Sequence, residues 1–272
     1  MPAALPQDAI AAAIMRLSPE DGTFATELRV GGLRQTDLAL ADLTGATLDD
    51  WRRAVVGTLP DPDGKLGAAN LMERAVWAAS RPLAGLAVQG LWPVRIDPDR
   101  LGFARRMVPW HAGEQSGEAM LLDQVIDLDG LEISTAPDAA ASFQETFEEA
   151  LTPLVEELRQ GTGLSRGALW RVAGDALAAR FLAFGRAFDR LEDALSAAES
   201  ILRRKGSRLY ARQTDFIRVS LPENPDTFDW YRLRGGCCRY YAIPNGVYCP
   251  TCVLLPRNKQ IERLQEGLRR RD

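Results

Sequence analysis

The chain has 272 residues, 46% of them hydrophobic and 26% charged, an ordinary balance for a globular protein with one large core or two lobes. No apolar window approaches the roughly 20 residues that span a bilayer. Met1 to Leu17 has no basic opening region and is interrupted by Asp8, which argues against a signal peptide and for a cytoplasmic protein.

In chain order, Asp8 to Leu17 reads as a short helix with Ile10, Ile14 and Leu17 on one face, stopped by Pro19 and Gly22. Phe24 to Val30 alternates as a strand. Thr47 caps a helix through Leu48, Trp51, Val55 and Leu59, and Asp61-Pro62-Asp63-Gly64 makes a turn. Leu66 to Trp92 is the most apolar region. Leu71, Ala75, Ala78 and Ala79 share one helical face, and Pro82 opens a second helix towards Gly90, an arrangement suited to close packing or to a pocket wall. Strands follow at 94–96, 101–103 and 120–126, with turns at Pro98 and Gly113. Trp110 and His111, the only histidine, fall in the connection, and no role is assigned to the histidine.

Ala136 to Gln160 reads as a helix with Phe143, Phe147, Leu151, Leu154 and Leu158 at helical spacing, interrupted at Pro153 and broken at Gly161 and Gly163. Ser165 caps one long helix carrying Trp170, Leu177, Phe181 and Phe184 and ending at Arg203-Arg204-Lys205-Gly206. The two form a helical hairpin. From Leu209 the period changes to two: Tyr210, Phe216, Val219 and Leu221 suggest strand or extended chain, and after a turn at 222–225 another short strand is expected over Phe228 to Leu233. The fold class is α+β, a mostly helical body with a small antiparallel sheet and a C-terminal β-hairpin carrying the metal site. Residues 1–135 form an N-terminal α+β lobe. Residues 136–272 form a helical-hairpin lobe that ends in the segment 235–256.

All four cysteines lie in that segment, spaced C-C-x10-C-x2-C at Cys237, Cys238, Cys249 and Cys252. In a reducing compartment, four thiols this close hold metal more often than disulfides. Neighbouring Cys237 and Cys238 also leave little room for two well-formed disulfides. Arg239 to Ile243 and Val247 to Cys249 favour β structure on either side of Pro244-Asn245-Gly246, and Asn-Gly is a strong hairpin signal. A turn centred on Asn245 sets position 238 opposite 252 and gathers the sulfurs. Structural zinc takes two Cys-x2–4-Cys hooks, of which only Cys249 to Cys252 is present, and adjacent residues of an extended chain point apart. The wider two-iron cluster suits this spacing better, with zinc left open.

The pattern, with Tyr240, Gly246 and Tyr248 inside it, resembles the [2Fe-2S] signature of the FhuF-like ferric siderophore reductases. Gly167-Ala168-Leu169-Trp170 and the Trp77 to Trp92 region are similar to the more weakly patterned body of that family. One departure is Val253-Leu254-Leu255, which here separates the last cysteine from Pro256. The resemblance implies a [2Fe-2S] cluster ligated by Cys237, Cys238, Cys249 and Cys252. It also implies one-electron reduction of a ferric siderophore in the cytoplasm to release Fe(II), with no catalytic residue beyond the ligands. The chain has no G-x-G-x-x-G after a strand, so the electron is expected from a separate donor such as a ferredoxin.

Residues 201–272 hold 15 Lys and Arg against 7 Asp and Glu, whereas residues 1–200 hold 18 against 30. Within the basic part, Arg232, Arg234 and Arg239 flank the cysteines. They are candidate contacts for an anionic ferric siderophore or an acidic donor, or charges that offset the cluster. The bland reading is three solvated residues beside a strand, and Arg269-Arg270-Arg271 reads as a solvated tail. No recognition helix points to nucleic acid. Peripheral membrane contact stays open, while an integral segment does not. Two other readings compete: a zinc-stabilised interaction module without enzymatic activity, and an iron–sulfur sensor.

Overall fold

The computed structural model describes residues 6–17, 25–112 and 115–271. The expected helix stop at Pro19 and Gly22, the Phe24 start of the first strand and the Gly113 turn lie outside these. Among the described residues, seven helices, small sheets and a C-terminal β-hairpin make an α+β protein. No described helix is long and apolar enough to cross a membrane.

Helix α1 (Gln7–Met15) and helix α2 (Gly45–Ala54) flank α3 (Lys65–Val88), which is buried along most of its length. α2 begins at Thr44, not at the expected Thr47 cap. A helix apolar on all sides belongs in a core, and the alanines and glycines of α3 let neighbours approach from several directions. Pro82 lies inside α3 and does not divide it. A proline in a helix interior removes a donor and displaces the preceding turn. Here Arg180 donates from Nε and Nη2 to the Trp77 carbonyl, at 3.1 and 2.7 Å. The carbonyl that loses its donor to Pro82 is that of Ala78, four residues back; the Arg180 bonds fasten the residue before it, Trp77, to a neighbouring helix, and the helix continues.

Strands β1 (Leu28–Val30), β2 (Leu38–Ala39), β4 (Leu101–Ala112) and β5 (Gln115–Ile126) form one sheet in the order β1-β5-β4-β2. Its pairs are antiparallel apart from β1 with β5. β4 and β5 pair from Leu101↔Ile126 out to Ala112↔Gln115, well beyond the expected strands, so Trp110 and His111 sit within β4. Half-buried and exposed positions alternate along the outer part of β4, but Arg106 fills a half-buried one and Met107 an exposed one, so the alternation does not show in the residue types. β3 (Trp92–Ile96) and β6 (Leu131–Ser134) pair separately, and β3 packs on α4 (Ala139–Thr162).

Helix α5 (Arg166–Ala187) starts as expected, the Ser165 hydroxyl accepting from the Ala168 N–H at 3.2 Å. The single long helix expected to follow is two. The chain breaks at Phe188–Arg190, with Asp189 in the left-handed region, and α6 (Leu191–Leu202) folds back on α5. Gly185 permits this: a Cβ there would lie 2.7 Å from that of Ala194. One buried apolar cluster joins α1 to α6 and the inner face of the sheet, with residues from both sides of position 135.

The β-hairpin of β7 (Asp215–Leu221) and β8 (Asn224–Leu233) follows, and β8 runs directly into the cysteines. The chain ends in a helix, α7 (Arg257–Arg269), which buries Gln260, Leu264 and Leu268, while Arg269, Arg270 and Arg271 at its end are exposed as expected, Arg269 paired with Glu223 and Arg271 with Asp229. Leu264 packs with Val219 and Leu233 in a second, smaller cluster.

Candidate metal centre

At the end of β8, Gly235 and Gly236 thread against α5. A Cβ on Gly236 would lie 2.7 Å from the Val172 nitrogen and 2.9 Å from the Arg171 carbonyl carbon, and one on Gly235 would strike the Thr214 hydroxyl. Only glycine allows so close an approach. Asp175, fully buried in the middle of α5, fastens the two residues: its carboxylate accepts from the Gly235 and Gly236 N–H groups and from the Thr214 hydroxyl, each at 2.8 Å. Cys237 and Cys238 follow at once, so their backbone is registered on the central helices.

Arg239 is left-handed, with φ of 63°, and its N–H donates to Cys237 Sγ at 3.4 Å. A 3-10 turn at Tyr240–Ala242 and a bend through Asn245 reverse the chain, with Gly246 pressed on the Tyr240 carbonyl. The fold-back predicted at Asn245-Gly246 is therefore present, but the flanking strands are not, and 238 and 252 are not ladder partners. The left-handed residue at 239 ends extended structure just after the cysteine pair. The Tyr241 and Tyr248 rings, stacked at 5.3 Å, tie the two arms in place of a ladder. Cys249 to Cys252 forms a turn closed by the Cys252 N–H on the Cys249 carbonyl at 3.0 Å. Its Thr251 carbonyl accepts from the Arg234 N–H at 3.3 Å, which joins the second cysteine pair to the base of the first.

Side chains from two helices complete the cradle. Gln260 of α7 donates to the Cys252 carbonyl at 2.7 Å, and Arg263 to the Tyr248 carbonyl at 2.6 Å. Asn70 of α3 reaches the Cys238 carbonyl at 3.3 Å. Cys252 is buried and the other three cysteines are half-buried. The Cys238 and Cys249 thiols are in hydrogen-bonding contact: Cys249 donates, which lowers Cys238 to about 6 and raises Cys249, and burial pushes Cys237 up. Among the described residues no three Cys, His, Asp or Glu side chains are gathered as a single ion requires.

Beneath the cysteines lies a buried charge network. Arg234 Nη2 meets Glu73 at 2.6 Å, and its Nε lies 3.7 Å from Asp175, which is also 3.8 Å from Arg232 Nη1. Arg232 and Arg234 are thus interior residues, not solvated ones, whereas Arg239 is partly exposed and 3.7 Å from Asp63. Burial raises the Asp175 carboxyl against the pull of both arginines. Glu73 is held below its ordinary value by Arg234, Arg232 and Arg74, which outweigh the burial that opposes them. Burial lowers Arg232, on which Cys249 acts in the opposite sense; Arg234 is raised despite burial by Glu73 and Asp175, with Cys238 adding to the effect.

Three buried N–H positions here, Arg232 Nε and Nη1 and Arg234 Nε, have no hydrogen-bond acceptor among the described residues. Buried donors of this kind normally have partners. Four soft thiol ligands beside such donors fit an anionic iron–sulfur group with sulfur acceptors. The residues that complete this network were missed in the sequence. Asp175 and Glu73 each carried a signal, the single acid of a largely buried helix, while Asn70, Gln260 and Arg263 carried none.

Searches of curated proteins and of solved structures return no significant match to the chain. Residues 234–254, from the buried Arg234 through all four cysteines, match the model of the FhuF 2Fe-2S C-terminal domain, a [2Fe-2S] cluster domain.

Proposed function

We propose that the protein is a ferric siderophore reductase in which Cys237, Cys238, Cys249 and Cys252 ligate a [2Fe-2S] cluster. Such a cluster supplies one electron at a time, which is what conversion of Fe(III) to Fe(II) requires. Hard oxygen donors hold Fe(III) far more tightly than Fe(II), so reduction releases the metal from its chelator. The observation that carries the reading is the meeting of four thiols with buried, acceptor-free arginine N–H groups inside the segment that matches the family model.

The chain's own residues have separable tasks. Asp175 and the two glycines hold the Cys237-Cys238 backbone at a fixed depth. Gln260 and Arg263 hold the Cys249 to Cys252 arm. Arg232 and Arg234 place positive charge against the ligands, which favours the more negative, reduced state, and Glu73 and Asp175 hold the two guanidinium groups in place while offsetting part of that charge. A separate one-electron donor protein in the cytoplasm completes the cycle.

The test is protein purified without oxygen. It should be red-brown, bleach on dithionite and give an EPR signal when reduced. A ferric siderophore should then restore the colour while a ferrous-specific dye captures Fe(II). A colourless protein with stoichiometric zinc would sink the proposal. A coloured protein that no ferric chelate reoxidises would favour the sensor reading.

A further inference from the structure

A pocket of about 380 Å³ opens beside the cysteine segment, within the range of roughly 300–1,000 Å³ found for ligand sites. Its polar wall includes Arg212, Arg234, Arg257 and Gln260, and its apolar part includes Val253 and Leu255. Each contact with the centre is short. Val253 is bonded to Cys252, Gln260 holds the Cys252 carbonyl, and the Arg234 N–H holds Thr251. The pocket therefore shares its wall with the buried ligand arm.

Its charge is one-sided. Three guanidinium groups line it and no carboxylate does. Arg234 is neutralised inside by Glu73. Just outside, a single carboxylate, Asp215, serves both Arg203 at 3.1 Å and Arg257 at 3.3 Å. Arg212 pairs with no carboxylate among the described residues. Three arginines thus face one aspartate at the rim, and the first turn of α7, capped by Pro256 without a side-chain acceptor, adds its positive pole.

We infer that this pocket binds the ferric siderophore and selects net-anionic chelates, with carboxylate or catecholate donors, over neutral hydroxamate chelates. The inference rests on the reductase reading and names its substrate class. Arg212 and Arg257 supply the charge-assisted hydrogen bonds, and Val253 and Leu255 meet the hydrocarbon of the chelator. A second cavity of about 320 Å³, between Trp77, Trp110 and Arg74, lies further along α3 and is lined by one cation among apolar side chains, a poorer match to an anion.

The test uses redox-inert Ga(III) complexes, an anionic tris-catecholate and a neutral tris-hydroxamate, titrated into the cluster-loaded protein and followed by calorimetry. The anionic complex should bind more tightly, and the preference should shrink as salt is raised. Arg212→Gln should weaken its binding about tenfold, the loss of one charge-assisted contact. Arg212→Glu with Arg257→Gln should weaken it further and leave the neutral complex unaffected. An unchanged visible spectrum in each variant shows that the centre is intact. The inference is overturned if the neutral complex binds as well as the anionic one, or if Trp77→Ala and not Arg212→Gln abolishes binding. Reoxidation of the reduced wild-type protein by the two Fe(III) chelates is measured in parallel. If both chelates reoxidise it while Arg212→Gln binds normally, the pocket is wrong and the reductase reading stands. If neither does, the reductase reading fails and the inference falls with it.

Discussion

The two cysteine pairs sit in one site but are held by different parts of the molecule. Cys237 and Cys238 hang from main-chain bonds to Asp175, a residue inside the central helix pair. Cys249 and Cys252 hang mainly from Gln260 and Arg263 on α7, whose own apolar contact is the small cluster of Leu264, Val219 and Leu233, with a single main-chain bond from Arg234 to Thr251 back to the first pair. Local stability follows the number of buried contacts an element makes. The first pair is therefore as rigid as the core, and the second can open with α7 while the body stays folded. A centre built in this way should lose its metal from the α7 side first.

The largest effect should come from Asp175→Ala. It removes the acceptor of three hydrogen bonds and leaves Arg232 and Arg234 buried with one carboxylate between them. Breaking one side of a buried charge network costs about 3–5 kcal/mol. Urea unfolding should show that loss, and the protein should be purified without colour. Gly236→Ala comes next, at about 1–3 kcal/mol for overpacking, because its Cβ meets helix backbone that has no rotamer to change. Gly235→Ala should cost a similar amount, since its Cβ would lie 2.7 Å from that of Ala211 and would strike the Thr214 hydroxyl that Asp175 holds. If either alanine leaves stability unchanged, the first pair is not registered on α5 in the way described.

How much of this was legible beforehand varied with the kind of contact. Periodicity located the helices, and the strand at Phe228 to Leu233 leading into the cysteines was expected where β8 lies. Local signals misjudged the places where distant residues decide. Pro82 reads as a break because a local window sees only the lost donor, whereas the packing that buries α3 on both sides of it comes from distant elements. The long helix after Ser165 was read as one because Gly185 against Ala194 is a packing event. The Asn245-Gly246 reversal was legible, but its strands were not formed, since Arg239 turns left-handed beside Cys237. The four cysteines were plain. Their supports were not, because Asp175 and Gln260 act through backbone groups, whose position no residue pattern reports. No helix was expected over α7, although Gln260, Leu264 and Leu268 repeat at helical spacing.

Glu73 offers a pH-dependent version of the comparison. Its folded-state value lies below the ordinary 4.5, so its pairing with Arg234 stabilises the protein fully above that value. The contribution fades as pH falls through 4.5 towards the lower folded value. Glu73→Gln should cost about 1.5–3 kcal/mol at pH 7, the range for a hydrogen bond to a charged group. That deficit should narrow in acid, where the wild type loses the same interaction. A deficit equal at pH 7 and pH 4 would mean that Glu73 acts through shape and not charge.

The smallest effect on folding, and the sharpest test of the two-sided centre, is Gln260→Ala. One hydrogen bond to the Cys252 carbonyl is worth about 1 kcal/mol, so global unfolding should shift little. Chelator-driven bleaching should quicken all the same, because opening of α7 alone exposes Cys249 and Cys252. For such a local opening, a loss of about 1.4 kcal/mol raises the open population tenfold. Bleaching should therefore be several-fold faster in Gln260→Ala while the urea midpoint barely moves. In Gly236→Ala the two should change together, since its strain acts on the core. If bleaching in Gln260→Ala follows global stability instead, the α7 arm does not open by itself, and both cysteine pairs belong to one cooperative unit.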